Sequence, residues 1–143
     1  SAPVYSHLSY DRVPGESLNI EQPDILIVEG LNVLAPPATS SALAVSDLFD
    51  FGIFVDARTP DIARWYEERF LQLQQGAFQN PESYFHRYAM LEENEARAEA
   101  QRIWAAINEP NLVDNILPTR PRASLILQKE ADHRIRKILL RRI

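Results

Sequence analysis

The residues able to do chemistry are a few oxygen and nitrogen donors set among aromatic runs. Glu29 closes the run Asp24-Ile25-Leu26-Ile27-Val28 and precedes Gly30. An acid and a glycine at the carboxyl end of a buried strand stand where open α/β sheets place their ligands. Such a carboxylate is a hard donor suited to magnesium, or else a solvated acid before a turn. Arg69 lies beside Tyr66, Phe70 and Leu73 in a helical pattern, as a snorkelling side chain or as a bidentate phosphate donor. Phe78, Tyr84, Phe85 and Tyr88, interrupted by Asn80-Pro81, make either core or the wall of an apolar slot. Tyr5, His7 and Tyr10 project from an amino-terminal segment of extended or loop type, where a lone histidine is more often a surface or hydrogen-bonding residue than a catalyst. His86 has no acidic or histidine partner at metal-ligand spacing, which argues against a metal there.

These groups need a scaffold. The aliphatic run 25–28 has no polar face and reads as a central strand covered on both sides, as in a parallel sheet. Pro14-Gly15 reads as a turn. Ala35-Pro36-Pro37-Ala38-Thr39-Ser40-Ser41 has the composition of an exposed connection, and Val45–Asp50 that of a helical turn or short strand. Phe51–Ala57 is a second buried-type strand, also ending in an acid, Asp56. Thr59-Pro60-Asp61 starts a helix that Gly76 can stop. Its stripe is Ile62, Tyr66, Phe70 and Leu73. A further helix is expected over 92–108, with the stripe Ala96, Ala100, Ile103 and Ile107 and Trp104 beside it. It should stop by Glu109, because Pro110 restricts that residue, leaving Asn108 as a cap. Residues 115–122 read as extended and proline-stiffened, 123–129 as a third strand, 132–134 as a turn and 135–143 as a basic edge strand.

Bulk properties set the limits. The chain has 143 residues, 45% hydrophobic and 24% charged, which suits one packed domain. A net charge of −5 gives no case for nucleic acid. The absence of cysteine excludes disulfides and thiolate metal sites. No apolar run approaches the ~20 residues that span a bilayer, so the expected setting is cytoplasmic. None of the four glycines lies in a G-x-x-x-x-G-K-[ST] phosphate loop.

Taken in order, Pro3-Val4-Tyr5-Ser6-His7-Leu8 with Tyr10-Asp11, Gln22–Leu34, Trp65-Tyr66 with Arg69-Phe70, Gly76-Ala77-Phe78, Ser83-Tyr84-Phe85-His86 and Asn115-Ile116-Leu117-Pro118-Thr119-Arg120 with Arg122-Ala123 closely resemble the C-terminal half of bacterial type I pantothenate kinase. The resemblance covers essentially the whole chain. It implies an α/β fold of the P-loop-kinase kind: a mostly parallel sheet flanked by helices, here lacking the phosphate-loop strand-helix unit. Residues 1–143 would form the C-terminal portion of a single kinase domain. The implied activity is transfer of a phosphoryl group from ATP, with Mg2+, to pantothenate, the first step towards coenzyme A. A homodimer and feedback inhibition by coenzyme A are implied as well.

By the same resemblance Glu29 is the acid near magnesium and Arg69 the phosphate-contacting arginine. Tyr10, Tyr66 and Asn108 match positions that hydrogen-bond pantothenate, and Tyr5 and His7 border its pocket. Phe70, Phe78, Phe85 and Ile107 match the apolar wall, and Lys129 and His133 the border of the adenine. Leu73 stands where the family often has an aromatic. The phosphate loop and the aspartate base of the family have no counterpart in these residues, so the chain alone is expected to be inactive. Two other readings remain: a non-catalytic relative that binds pantothenate or coenzyme A, and a uridine-kinase-like member of the clan.

Overall fold

In the computed structural model, residues 1–37, 39 and 42–142 are described. Ala38, Ser40 and Ser41 of the expected connection, and Ile143 of the expected last strand, lie outside them. The chain is mixed α/β and divides into two compact units, Ser1–Ile27 with Glu67–Ala100, and Val28–Tyr66 with Gln101–Ile143.

In the first unit β1 (Ala2–Ser6) pairs antiparallel with β2 (Asp11–Leu18). The turn lies at residues 7–10, not at Pro14-Gly15. Pro3 faces Ser17 and Tyr5 faces Arg12, so residues 13–16 lie opposite Val4 alone and Pro14-Gly15 sits in a bulge. Gly15 takes φ +76 there, a conformation that glycine adopts without a Cβ clash. Helix α1 (Thr59–Gln75), whose residues up to Tyr66 belong to the second unit and those from Glu67 to the first, has the expected bounds, with Pro60 in the first turn, where its missing N–H costs no intrahelical bond. Phe70 is buried and Ile62, Tyr66 and Leu73 are half-buried, so the stripe faces inward as expected. After the helix, side chains hold the backbone of the first unit. Gln74 Nε2 donates to the Leu91 carbonyl at 2.6 Å, and Gln79 Nε2 to the carbonyls of Gln74 and Ala89 at 2.7 and 3.1 Å. His86 Nδ1 lies 3.0 Å from the Phe78 carbonyl, which accepts its proton.

The second unit contains a three-stranded sheet in the order β3-β4-β5. Strand β3 (Ile53–Asp56) runs parallel to β4 (Leu125–Lys129), which pairs antiparallel with β5 (Ile135–Leu140). The sheet is therefore mixed rather than mostly parallel. Its core is Leu34, Phe54 and Ala123, with Val33, Ile116, Leu117 and Ile126 packed against them. Gly52 allows this closeness, since a Cβ there would sit 3.2 Å from Leu34 Cδ2. Val45–Leu48 form the expected helical turn, of the tighter 3-10 kind. Strand β3 was expected to be buried on both faces, yet only Phe54 is buried and Ile53 and Val55 are exposed.

Residues 24–29 depart furthest from expectation. They form no ladder, and Ile25 and Ile27 are 81% and 86% exposed. An aliphatic run records an environment covered on both sides, but a strand exists only where neighbours accept its backbone bonds. None of the described strands pairs with this run, so Glu29 does not terminate a strand here.

Helix α2 (Glu93–Ile103) also departs from the reading at its end. Instead of stopping at Glu109, the helical path continues through a π turn (Trp104–Asn108), α3 (Glu109–Asn111), a second π turn (Leu112–Ile116) and a 3-10 stretch (Leu117–Arg122). Widening to i→i+5 spacing changes which carbonyl each N–H must reach, so Pro110 and Pro118 fit at the starts of new segments rather than breaking the path. The same widening rotates the helix surface. Ala96 and Ala100 are fully buried, whereas Ile107, expected on that stripe, is 61% exposed.

Candidate functional site

Within the first unit the structure gathers Tyr5, His7, Tyr10, Phe70, Phe78 and Phe85 into one chain of ring contacts. Tyr5 meets His7 and Tyr10 edge-on at 5.3 and 6.1 Å between centroids. Tyr10 meets Phe85 edge-on at 4.7 Å, Phe85 meets Phe78 at 5.2 Å, and Phe78 meets Phe70 at 5.5 Å. Tyr88 also touches Phe70, Phe78 and Phe85. The cluster is graded. Phe70 and Phe78 are buried, Phe85 is half-buried, and Tyr5 and Tyr10 are exposed, which leaves phenols at the wet end of an apolar wall. The Tyr5 phenol is pushed above its ordinary range by desolvation first, then by Tyr10 and Asp11, so it stays a neutral donor.

Arg69, on α1 in the same unit, is exposed and has no hydrogen-bond or ion-pair partner among the described residues. Arg97 shows the contrast: its guanidinium is held by Glu67 and Glu93, which raise its pKa, Glu67 most. A guanidinium without a carboxylate keeps its planar donors available to a phosphate.

In the second unit Lys129 and His133 meet on Trp65. The His133 and Trp65 rings stack at 4.4 Å and 26°, and Lys129 Nζ lies 4.8 Å from the Trp65 ring centre. Trp65 Nε1 and Arg64 Nη2 both donate to the Ala131 carbonyl, at 3.1 and 2.9 Å, which fixes α1 against the β4–β5 turn. A cleft of about 460 Å3 opens where the parallel strands β3 and β4 end, lined by Asp56, Arg58, Gln128, Lys129, Glu130 and Arg136 among others. It lies at the carboxyl end of the one parallel strand pair among the described residues, the end at which open α/β sheets bind ligands. The second strand-ending acid, Asp56, is engaged: its Oδ2 accepts from Arg120 Nε at 3.0 Å and from Gln128 Nε2 at 3.3 Å.

Tyr66 packs on Trp104, ring centroids 5.8 Å apart, and Asn108 closes the π turn that Trp104 opens. Single π turns often mark functional positions. Glu29 is exposed and has no hydrogen-bond partner among the described residues. Its carboxylate is thus a free hard oxygen donor of the kind magnesium takes together with substrate phosphates. Groups of three or more His, Asp or Glu side chains able to hold a metal on their own are absent among the described residues.

Backbone strain supplies a signal that residue types do not. Tyr10, Gln22 and His133 have positive φ, at +55, +42 and +70. Tyr10 ends the β1–β2 turn and His133 ends the β4–β5 turn, left-handed hairpin positions that glycine or asparagine fills with least strain. Bulky rings there are costly, and such strain persists where surrounding contacts over-determine it. Trp65 and Tyr84 provide those contacts. The sequence places Tyr84 only in an aromatic run that is core or slot wall, and Trp65 only within a family-like motif, with no positioning role for either ring. Their signal was aromatic identity next to Tyr66 and Phe85, which packing explains equally well.

Among the described residues no helix is long and apolar enough to cross a membrane. No family model matches the chain. Curated proteins do. It is 66% identical over 142 residues to the pantothenate kinase of Leifsonia xyli subsp. xyli, covering 99% of this chain and 44% of that protein. The pantothenate kinase of Corynebacterium efficiens is 58% identical over 142 residues, 99% of this chain and 42% of its own length. That of Rhodococcus jostii is 57% identical over 143 residues, 100% and 45% respectively. The chain thus spans under half the length of these relatives, and it is a homologue of the bacterial proteins named pantothenate kinase.

Proposed function

We propose that these residues form the acceptor-substrate side, and part of the nucleotide side, of a type I pantothenate kinase with a P-loop-kinase fold, residues 1–143 being the C-terminal portion of its single domain. The observation that carries this reading is the graded wall Phe70–Phe78–Phe85 ending in Tyr10 and Tyr5. Pantothenate joins an apolar body to hydroxyls, an amide and a carboxylate, and a wall that changes from buried phenyl to exposed phenol suits that polarity.

In this reading Tyr10, Tyr66 and Asn108 hydrogen-bond pantothenate, and Tyr5 and His7 border it. Phe70, Phe78, Phe85 and Ile107 receive its apolar extension. Arg69 neutralises charge developing on the transferred phosphoryl group, an interaction stronger in the transition state than in the ground state. Glu29 would hold Mg2+, which when bound supplies charge neutralisation at the phosphates. Lys129 and His133 border the adenine of ATP. Cytoplasmic location, homodimer formation and inhibition by coenzyme A accompany the proposal.

The test is a pantothenate titration of the full-length kinase carrying these residues, followed by NMR. Ring protons of Tyr10, Phe78 and Phe85 are expected to shift together and saturably. Shifts confined to residues outside this cluster would overturn the reading.

A further inference from the structure

We propose that Tyr84 is a positioning residue for the acceptor substrate, its ring holding Tyr10 in the left-handed conformation that presents the Tyr10 phenol. This rests on the reading that Tyr10 binds pantothenate, and it adds the device that sets that phenol in place. At φ +55 Tyr10 occupies a conformation that a bulky L residue leaves readily unless its side chain is held. The Tyr84 ring lies parallel to it, centroids 5.5 Å apart and 23° between planes, while Phe85 meets it edge-on from another side.

Tyr84 is itself anchored. Its backbone N–H donates to the Leu8 carbonyl at 2.9 Å, joining the 83–85 segment to the hairpin turn that contains Tyr10. Arg87 lies over the Tyr84 ring at 5.2 Å and over Tyr88 at 4.8 Å, where its Nη2 also donates to the Tyr88 hydroxyl at 3.2 Å. Phe85 meets Tyr84 edge-on at 5.0 Å. Tyr84 is 52% exposed, so filling a core is not what its ring does. The side chain bridges a strained tyrosine and a fixed cation.

The experiment measures steady-state kinetics of the full-length kinase carrying these residues, with Tyr84→Phe, Tyr84→Leu, Tyr84→Ala and Tyr10→Phe. Removing the ring by Ala or Leu is expected to raise KM for pantothenate about tenfold, equivalent to about 1.4 kcal/mol. KM for ATP and kcat should stay within about twofold, since only acceptor placement changes. Tyr84→Phe keeps the ring and should restore the wild-type KM. Positioning is overturned if Tyr84→Ala and Tyr84→Leu leave KM for pantothenate unchanged while Tyr10→Phe raises it. It is overturned too if both KM values rise together or if Tyr84→Phe behaves like Tyr84→Ala. An unchanged KM in Tyr10→Phe instead removes Tyr10 from the site, a failure of the underlying reading.

Discussion

Replacing Trp65 by alanine tests the nucleotide side of the proposal most sharply, because one ring supports both residues assigned to the adenine. Trp65→Ala removes the stack on His133 at 4.4 Å, worth about 0.5–1.5 kcal/mol. It also removes the Lys129 ammonium contact at 4.8 Å, about 0.5–1 kcal/mol at a partly exposed site. The indole donor to the Ala131 carbonyl adds about 1 kcal/mol, although Arg64 Nη2 still satisfies that oxygen. Since the three share one ring and are not independent, about 2 kcal/mol is the expected loss of stability. His133, at φ +70, then loses the stack that helps to offset its backbone strain, and only the turn's own hydrogen bonds, His133 N–H to the Glu130 carbonyl and Glu130 N–H to the Arg134 carbonyl, still hold it. In the full-length kinase KM for ATP should rise about tenfold with KM for pantothenate unchanged. Trp65→Phe, which keeps a stacking ring and loses the donor, should fall between. Denaturant unfolding and initial rates at varied ATP provide the readouts. An unchanged KM for ATP in Trp65→Ala, or a change confined to pantothenate, would remove Trp65 from the support of the adenine side.

Three further outcomes follow from the geometry. Arg69→Ala in the full-length kinase should lower kcat about 100-fold with a small effect on KM for pantothenate and stability within about 0.5 kcal/mol, as fits an exposed, unpaired guanidinium; a pure KM effect in a rate assay would remove it from the transferring phosphate. Phe54→Ala should destabilise by about 3–5 kcal/mol in denaturant unfolding, since Phe54 is 7% exposed in the core of the second unit. Asp56→Ala, which leaves the Arg120 guanidinium without its carboxylate, should cost about 1–2 kcal/mol, with Asp56→Asn milder because an amide oxygen still accepts.

The parts of the fold legible in the sequence were those whose ends carry local signals. Helix α1 was readable because Thr59-Pro60 and Gly76 mark its ends and its stripe has a single period. Strands β3 and β4 were readable as short aliphatic runs between breakers. The aliphatic run before Glu29 was misread because its pattern reports cover on two faces, and cover is a property of neighbours rather than of the run itself. Pro110 reads as a helix stop, and 115–122 as extended around Pro118, only when i→i+4 spacing is assumed; the π and 3-10 segments observed there remove that assumption.

At the site, the grouping of Tyr10 with Phe78 and Phe85 came from resemblance, and the structure brings those rings together in one unit. The left-handed φ of Tyr10 and His133 was invisible beforehand, because no residue there is glycine or asparagine to announce it. The positioning roles of Trp65 and Tyr84 were illegible for another reason: an aromatic residue beside other aromatics reads as core or slot wall.

The most direct measurement compares ADP release by the full-length kinase carrying these residues with that by the 143-residue chain, each offered pantothenate or uridine. Release should saturate with pantothenate and not with uridine for the full-length kinase, and be absent for the 143 residues alone, which contain no phosphate loop. Uridine supporting turnover in place of pantothenate, or the isolated chain matching the full-length rate, would contradict it.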